Sequence, residues 1–143
     1  MKLTKTSIII IFLALFLLNI DVEAASPKEK AHRLALEGIK LTDNGEYVEA
    51  IKKFLEAEKL DPDNIAYPYE RALAYYKRED YQSAIEILEP LIQRKESNEL
   101  IYQLLGNSYD FLENKDDAVR IYELGLEKFP EAGRLYFERG LTE

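Results

Sequence analysis

The sequence contains no cysteine and a single histidine, His32. The absence of cysteine excludes disulfides, thiolate catalysis, cysteine-type zinc sites and an acylated lipoprotein anchor. His32 would have to act with a serine on a solvated helix and without an ordered third partner, which does not make a nucleophilic site. The sequence also has no glycine-rich phosphate loop. We therefore expect no catalytic residue, no metal site and no cofactor.

Positive charge is also scarce. The chain has 19 lysine and arginine residues against 27 aspartate and glutamate residues, which gives a formal net charge of −8. Nucleic-acid binders need basic groups to neutralise phosphates, so this balance argues against nucleic acid and favours basic or neutral partners. With 47% hydrophobic and 32% charged residues, the composition is typical neither of a disordered chain nor of a wholly membrane-embedded one.

One long apolar run lies near the N-terminus. A basic start precedes eleven unbroken apolar residues, Ile8–Leu18, and Val22 and Ala24 are small residues at −3 and −1 of a possible cut. This order predicts a signal peptide over 1–24, cleaved after Ala24, and a secreted or periplasmic mature chain over 25–143. The run is shorter than the roughly 20 residues that span a bilayer. An uncleaved membrane anchor is the alternative.

The rest of the chain repeats itself every 34 residues. Four columns share this spacing: Gly38, Ala72, Gly106 and Gly140; Ala50, Ala84 and Ala118; Phe54, Leu88 and Tyr122; and Leu41, Tyr75 and Tyr109. Such a period indicates a stacked array, in which one unit cannot bury its apolar faces alone. We expect the small residues to lie where paired helices cross closely, and the large residues at 54, 88 and 122 to fill the gap between neighbouring pairs.

Start and stop signals divide the array into paired helices. Ser26, Pro27 and Glu29 form a capping-box pattern, and turn residues such as Asp43-Asn44-Gly45 separate the periodic segments. Pro90 is expected to bend the fourth helix or end it early. The predicted helices span about 27–42, 47–60, 66–77, 81–94, 99–112, 115–128 and 131–141.

In these columns the chain resembles tetratricopeptide repeats, which place small or apolar residues at fixed positions of a 34-residue unit and proline at position 32. Pro62 and Pro130 match that proline, whereas Glu96 replaces it in the second repeat. The resemblance implies an all-α fold, an α-α superhelix of three repeats plus a C-terminal helix. The implied repeats are 31–64, 65–98 and 99–132, followed by a capping or partial-repeat helix over 133–143.

The resemblance also implies a concave groove, lined by the first helix of each repeat, that binds a protein or peptide. The groove residues carried over by position are Tyr69, Leu73, Tyr76, Lys77, Gln103, Asn107, Asp110 and Phe137. Some tyrosines could instead pack between repeats, and this alternative is strongest for Tyr75 and Tyr109. A subfamily that binds acidic chaperone tails has a basic residue and an asparagine where this chain has Ala35 and Ile39, so we do not expect that function.

We interpret the chain as a secreted or periplasmic adaptor for a protein or peptide partner, without catalysis and without a small-molecule substrate. The alternative is a membrane-anchored accessory or assembly factor of a cell-envelope complex. The last predicted helix is unusually apolar, with Leu135, Tyr136, Phe137 and Leu141. Exposed apolar surface of this kind marks an interface, so either a homodimer through this helix or a longer array would explain it.

Overall fold

The computed structural model describes residues 25–142, and these residues fold into seven α-helices without a strand. The helices are α1 Pro27–Asp43, α2 Tyr47–Leu60, α3 Ala66–Lys77, α4 Tyr81–Ile92, α5 Glu99–Phe111, α6 Lys115–Lys128 and α7 Gly133–Thr142. Each helix packs on the next, and α1, α3, α5 and α7 also contact one another in that order. The predicted all-α superhelix is confirmed.

The helix ends follow the capping chemistry that the sequence predicts. Ser26 and Glu29 form the reciprocal capping box, with Ser26 N–H donating to the Glu29 carboxylate at 2.7 Å and Glu29 N–H to Ser26 Oγ at 3.3 Å. Helix α4 has 12 residues against 14 in α2 and α6, and it ends at Ile92 rather than at position 94. Pro90 explains the early end, because proline removes a backbone donor in the last turn.

The turns inside the three repeats have the same geometry. One backbone bond closes each turn, from the N–H of Glu46, Asp80 and Asn114 to the C=O of Leu41, Tyr75 and Tyr109 at 2.8, 3.0 and 3.0 Å. The residue before each donor is left-handed, with φ of 81° at Gly45, 65° at Glu79 and 60° at Glu113. Left-handed backbone costs a non-glycine residue about 1–2 kcal/mol, so the closing bonds must hold Glu79 and Glu113 in place.

The buried residues form two core clusters. One lies between α1, α2 and α3, and the larger one extends from α3 to Leu135 of α7. Tyr75 packs against both clusters. Where the first repeat meets the second, Arg71 on α3 forms a two-pronged ion pair with Glu58 on α2, at 2.6 and 3.1 Å. Neighbouring repeats are therefore joined by both apolar and polar contacts.

The small residues of the repeat accommodate aromatic rings. A Cβ added at Gly38 would lie 2.7 Å from Cε1 of Phe54, and one at Gly106 would overlap the ring of Tyr122. Each ring lies on the glycine of its own pair, and the Tyr122 hydroxyl also lies near Thr142 of the following helix α7, so the Tyr122 ring packs within its pair and reaches the next unit. A Cβ added at Gly140 would meet nothing within 4 Å among the described residues.

The predicted signal peptide over 1–24 lies outside the described residues. Within the part of the chain that the structure describes, no helix combines the length and the apolarity required to cross a bilayer.

We predict that Gly106→Ala lowers the free energy of unfolding by about 1–3 kcal/mol, because the added methyl group collides with the Tyr122 ring in a packed core. Gly133→Ala at the start of α7 is the matched control, since a Cβ added there meets no described residue within 4 Å and alanine favours a helix. Urea unfolding followed by circular dichroism measures both. Equal stability of the two variants would show that the ring does not depend on the glycine.

Candidate functional site

The predicted groove residues lie on the first helix of each repeat, as the resemblance implied. Tyr69, Leu73 and Tyr76 are half-buried on α3 and pack against the larger core cluster. On α5, the side chains of Gln103, Asn107 and Asp110 are also half-buried. Lys77 at the end of α3 is exposed, and so is Phe137 on α7, at 65%.

The surface where α3, α5 and α7 face one another, here called the groove floor, is organised around Asn107. Tyr122 is 1% exposed, and its hydroxyl donates to Asn107 Oδ1 at 2.7 Å. Asn107 also faces the hydroxyl of Tyr76. A side chain from the second helix of the repeat thus reaches the groove and fixes an amide that the sequence assigned to partner binding. One acceptor of Asn107 is therefore already used inside the protein.

Helix α7 closes one side of this floor. Gln103 on α5 donates to the Glu138 carboxylate at 3.1 Å. Burial raises the pKa of the Tyr76 and Tyr122 hydroxyls, and the charges of Glu138 and Asp110 raise it further. Both carboxylates therefore lie near both phenols. The floor between α3, α5 and α7 combines two phenols, two amides and two carboxylates.

A third carboxylate lies on the α1 side of the groove. Glu70 on α3 is half-buried, and burial raises its pKa while the charge of Lys77 lowers it and that of Asp43 raises it. Lys77 pairs with Asp43 on α1 at 3.5 Å. Burial and the charge of Glu70 raise the pKa of the Tyr69 hydroxyl. Arg134, across the groove on α7, lies close enough to lower this pKa by a smaller amount.

An aromatic cluster stands at the edge of the groove. Tyr76 meets Tyr81 and Phe111 edge-on, with centroids 5.3 and 5.6 Å apart, and the rings of Tyr81 and Phe111 stack at 4.8 Å. Phe111 is still 59% exposed. Tyr76 is thus partly a packing residue and is supported from one side, while Phe111 presents a free face.

The tyrosines do not divide cleanly into groove and packing residues. Tyr75 contacts both core clusters and lies under the guanidinium of Arg78, 5.0 Å from the ring centroid. Tyr109 donates to Glu89 at 2.5 Å, and burial together with that carboxylate raises its pKa to about 12. Packing at Tyr75 and Tyr109 agrees with the alternative raised from the sequence, but Tyr69 and Tyr76 also pack against the core.

Glu70, Glu138, Tyr81 and the hydroxyl of Tyr122 were not assigned to this site from the sequence. The repeat did contain a signal for the two carboxylates. Positions 36, 70, 104 and 138 form one column of the 34-residue repeat, and this column holds leucine in the first and third units and glutamate in the second and fourth. Tyr81 gives no such signal. It is the first residue of a second helix, and it reaches the groove edge only because α3 and α5 end beside it.

The other surface features that the structure describes lack the groups that a ligand or metal site requires. Among residues 25–142, no group of three or more histidine, cysteine, aspartate or glutamate side chains could hold a metal ion. A depression of about 610 Å³ lies outside the groove at the start of α1, against Lys28, Glu29, His32 and Arg33. All four residues are exposed, so the depression has no buried polar group to orient a ligand.

Residues 38–78 match the family described as TPR repeat. The small glutamine-rich tetratricopeptide repeat-containing protein 2 of Saccharomyces cerevisiae is 31% identical over 110 residues, which cover 77% of this chain and 32% of the yeast protein. The chain therefore spans about a third of the length of that relative.

Solved structures share the helical array over about four fifths of this chain. The first TPR domain of human RPAP3 superposes with a TM-score of 0.73 at 26% identity, covering 82% of this chain and 91% of that domain. The first TPR of Spaghetti (RPAP3), bound to the HSP90 peptide SRMEEVD, gives a TM-score of 0.72 at 26% identity, with coverage of 80% and 91%.

Proposed function

Because the chain belongs to the tetratricopeptide repeat family, we propose that it is an adaptor that binds an extended segment of a partner protein in the groove of α3, α5 and α7 and performs no chemistry. The exposed rings of Phe111 and Phe137 beside a hydrogen-bonded polar floor carry this proposal. Apolar anchors next to fixed polar groups are the usual composition of a protein interface. The related domain of Spaghetti holds a peptide, which supports the same use here.

The groove is tested best at its exposed rings. Tyr69 and Tyr76 are unsuitable, because both pack against the core and their truncation would also lower stability. We predict that Phe111→Ala with Phe137→Ala weakens partner binding by roughly 2 kcal/mol, the scale of an interface hot spot. The measurement is capture of partners from the native source, followed by titration of the captured protein.

The matched control is Leu55→Ala with Leu124→Ala, which removes two side chains that are 38% exposed on the second helices α2 and α6. Binding that responds equally to both double variants, or to neither, would reject the groove as the binding surface.

We also propose that the mature protein is secreted or periplasmic. The basic start, the apolar run and the small residues before position 25 support export and cleavage after Ala24. The intact mass of the protein recovered without detergent is expected to correspond to 25–143. A mass that retains 1–24, with the protein in the membrane fraction, would favour the alternative of a membrane-anchored assembly factor.

A second contact, between two copies of the chain, is proposed at α7. In the first and third repeats a ring of the following helix covers the glycine of the column, whereas a Cβ added at Gly140 would meet no described residue within 4 Å. Tyr136, beside it on the helix, is 50% exposed, and Leu141 is 64% exposed. A ring from a second copy would fit this open face.

We predict that the protein self-associates and that Tyr136→Lys abolishes this, because a charge cannot be buried in an apolar contact without a partner. Sedimentation over a range of concentrations measures the mass. Leu36→Lys is the control, since Leu36 is 53% exposed on α1 at the opposite end of the array. A monomer at every concentration would remove the dimer proposal.

A further inference from the structure

The groove carries more negative than positive charge. The carboxylates at its floor and end are Asp43, Glu70, Asp110 and Glu138, and the cations nearest to them or to the groove tyrosines are Lys77 and Arg134. Lys77 is already paired with Asp43. Glu70, Asp110 and Glu138 form no ion pair with another described residue, although other side chains of residues 25–142 form seven ion pairs.

These unpaired carboxylates are partly removed from water. Glu70, Asp110 and Glu138 are all half-buried, and burial is the main cause of the raised pKa of Glu70. Taking a carboxylate out of water without a cation costs free energy, and a cation that arrives later recovers part of that cost. A ligand that brings positive charge therefore gains more at this groove than at an exposed acidic surface.

Aromatic faces beside the carboxylates suit the same kind of ligand. Phe111 is 59% exposed and its ring stacks on Tyr81, so its free face can take the methylene stem of a lysine or the plane of an arginine. The protein makes contacts of this kind within itself, with Arg78 over the ring of Tyr75 at 5.0 Å and Lys128 over that of Tyr102 at 5.9 Å.

The opposite charge is disfavoured at this groove. The peptide SRMEEVD, which the related domain of Spaghetti binds, ends in three carboxylate side chains and a free carboxylate. In this chain such a tail would lie against Glu70, Asp110 and Glu138. Like charges held close together in a partly dry site repel by several kcal/mol. A neutral segment would cover the rings but leave the three carboxylates without a cation.

We propose that the groove selects a basic segment of its partner, whose lysine or arginine side chains meet Glu70 on one side and Asp110 and Glu138 on the other while their stems cover Phe111. This inference rests on the proposed adaptor function and adds the chemical class of the partner to it.

The test selects groove-binding peptides from a random library. The protein, purified after expression of the full-length sequence, is presented with random dodecapeptides displayed on phage. Peptides that bind the wild type but not the Phe111→Ala, Phe137→Ala variant are kept as groove-dependent. We expect these peptides to be enriched in lysine and arginine, and their affinity to fall about tenfold or more when salt is raised from about 50 to 300 mM.

A selected peptide, made synthetically, then measures the carboxylates. Glu70→Gln with Asp110→Asn is expected to weaken its binding about tenfold, since each change removes a charge and keeps the side-chain shape. The control is Glu56→Gln with Glu123→Gln, which removes two charges from exposed positions of α2 and α6 and is expected to change the affinity less than about twofold.

The outcomes separate the two proposals. Groove-dependent peptides that are acidic or neutral, or equal effects of the two charge variants, would overturn the basic-segment inference and leave the adaptor function standing. A selection in which no peptide depends on Phe111 and Phe137 would overturn the adaptor proposal itself, and this inference with it.

Discussion

The contact between the Tyr122 ring and Gly106 links the packed core of the third repeat to the floor of the groove. The ring needs the glycine, because any side chain at 106 would occupy the same space. Its position in turn carries the hydroxyl to Asn107, in the floor of the groove. The first repeat has the same contact between Phe54 and Gly38 but without a hydroxyl. The core is therefore repeated along the array, whereas its polar extension into the groove belongs to the third repeat.

This extension makes the groove floor a fixed surface. Asn107 is held by Tyr122, and Gln103 by Glu138, so these amides have lost part of their freedom before any partner arrives. Preorganised groups bind with a smaller entropic cost than free ones, but fewer of their donors and acceptors remain available. The surfaces left for a partner are the exposed rings and the unpaired carboxylates. Because the amides are already hydrogen-bonded and the carboxylates are not paired, we expect the groove to distinguish partners by their charge more than by backbone hydrogen bonds to the amides.

The period of 34 residues predicted a stacked array, the capping and turn residues predicted its helices, and the family resemblance implied the superhelix, since each repeat buries the same column positions and reuses the same turn. The left-handed residues Glu79 and Glu113 were hidden, since only Gly45 marks that position with a residue that favours it. In the groove, helical spacing placed Tyr69, Leu73 and Tyr76 on one face of α3, and in the structure all three are half-buried. The spacing could not show that Tyr76 also packs on Tyr81 and Phe111, because those contacts depend on how far the superhelix curls. The cleavage site, the groove contacts and the dimer stay predictions.

Helix α7 supports both proposed surfaces. Leu135 and Thr142 are buried against the preceding repeat and fix the helix. Glu138 faces the groove through Gln103, while Tyr136 and Gly140 lie on the open side. If a partner and a second copy both bind, they hold the same short helix from two sides. If binding of the partner stabilises α7 and thereby strengthens binding of the second copy, the second copy must strengthen binding of the partner by the same free energy, because coupling between two binding sites is reciprocal.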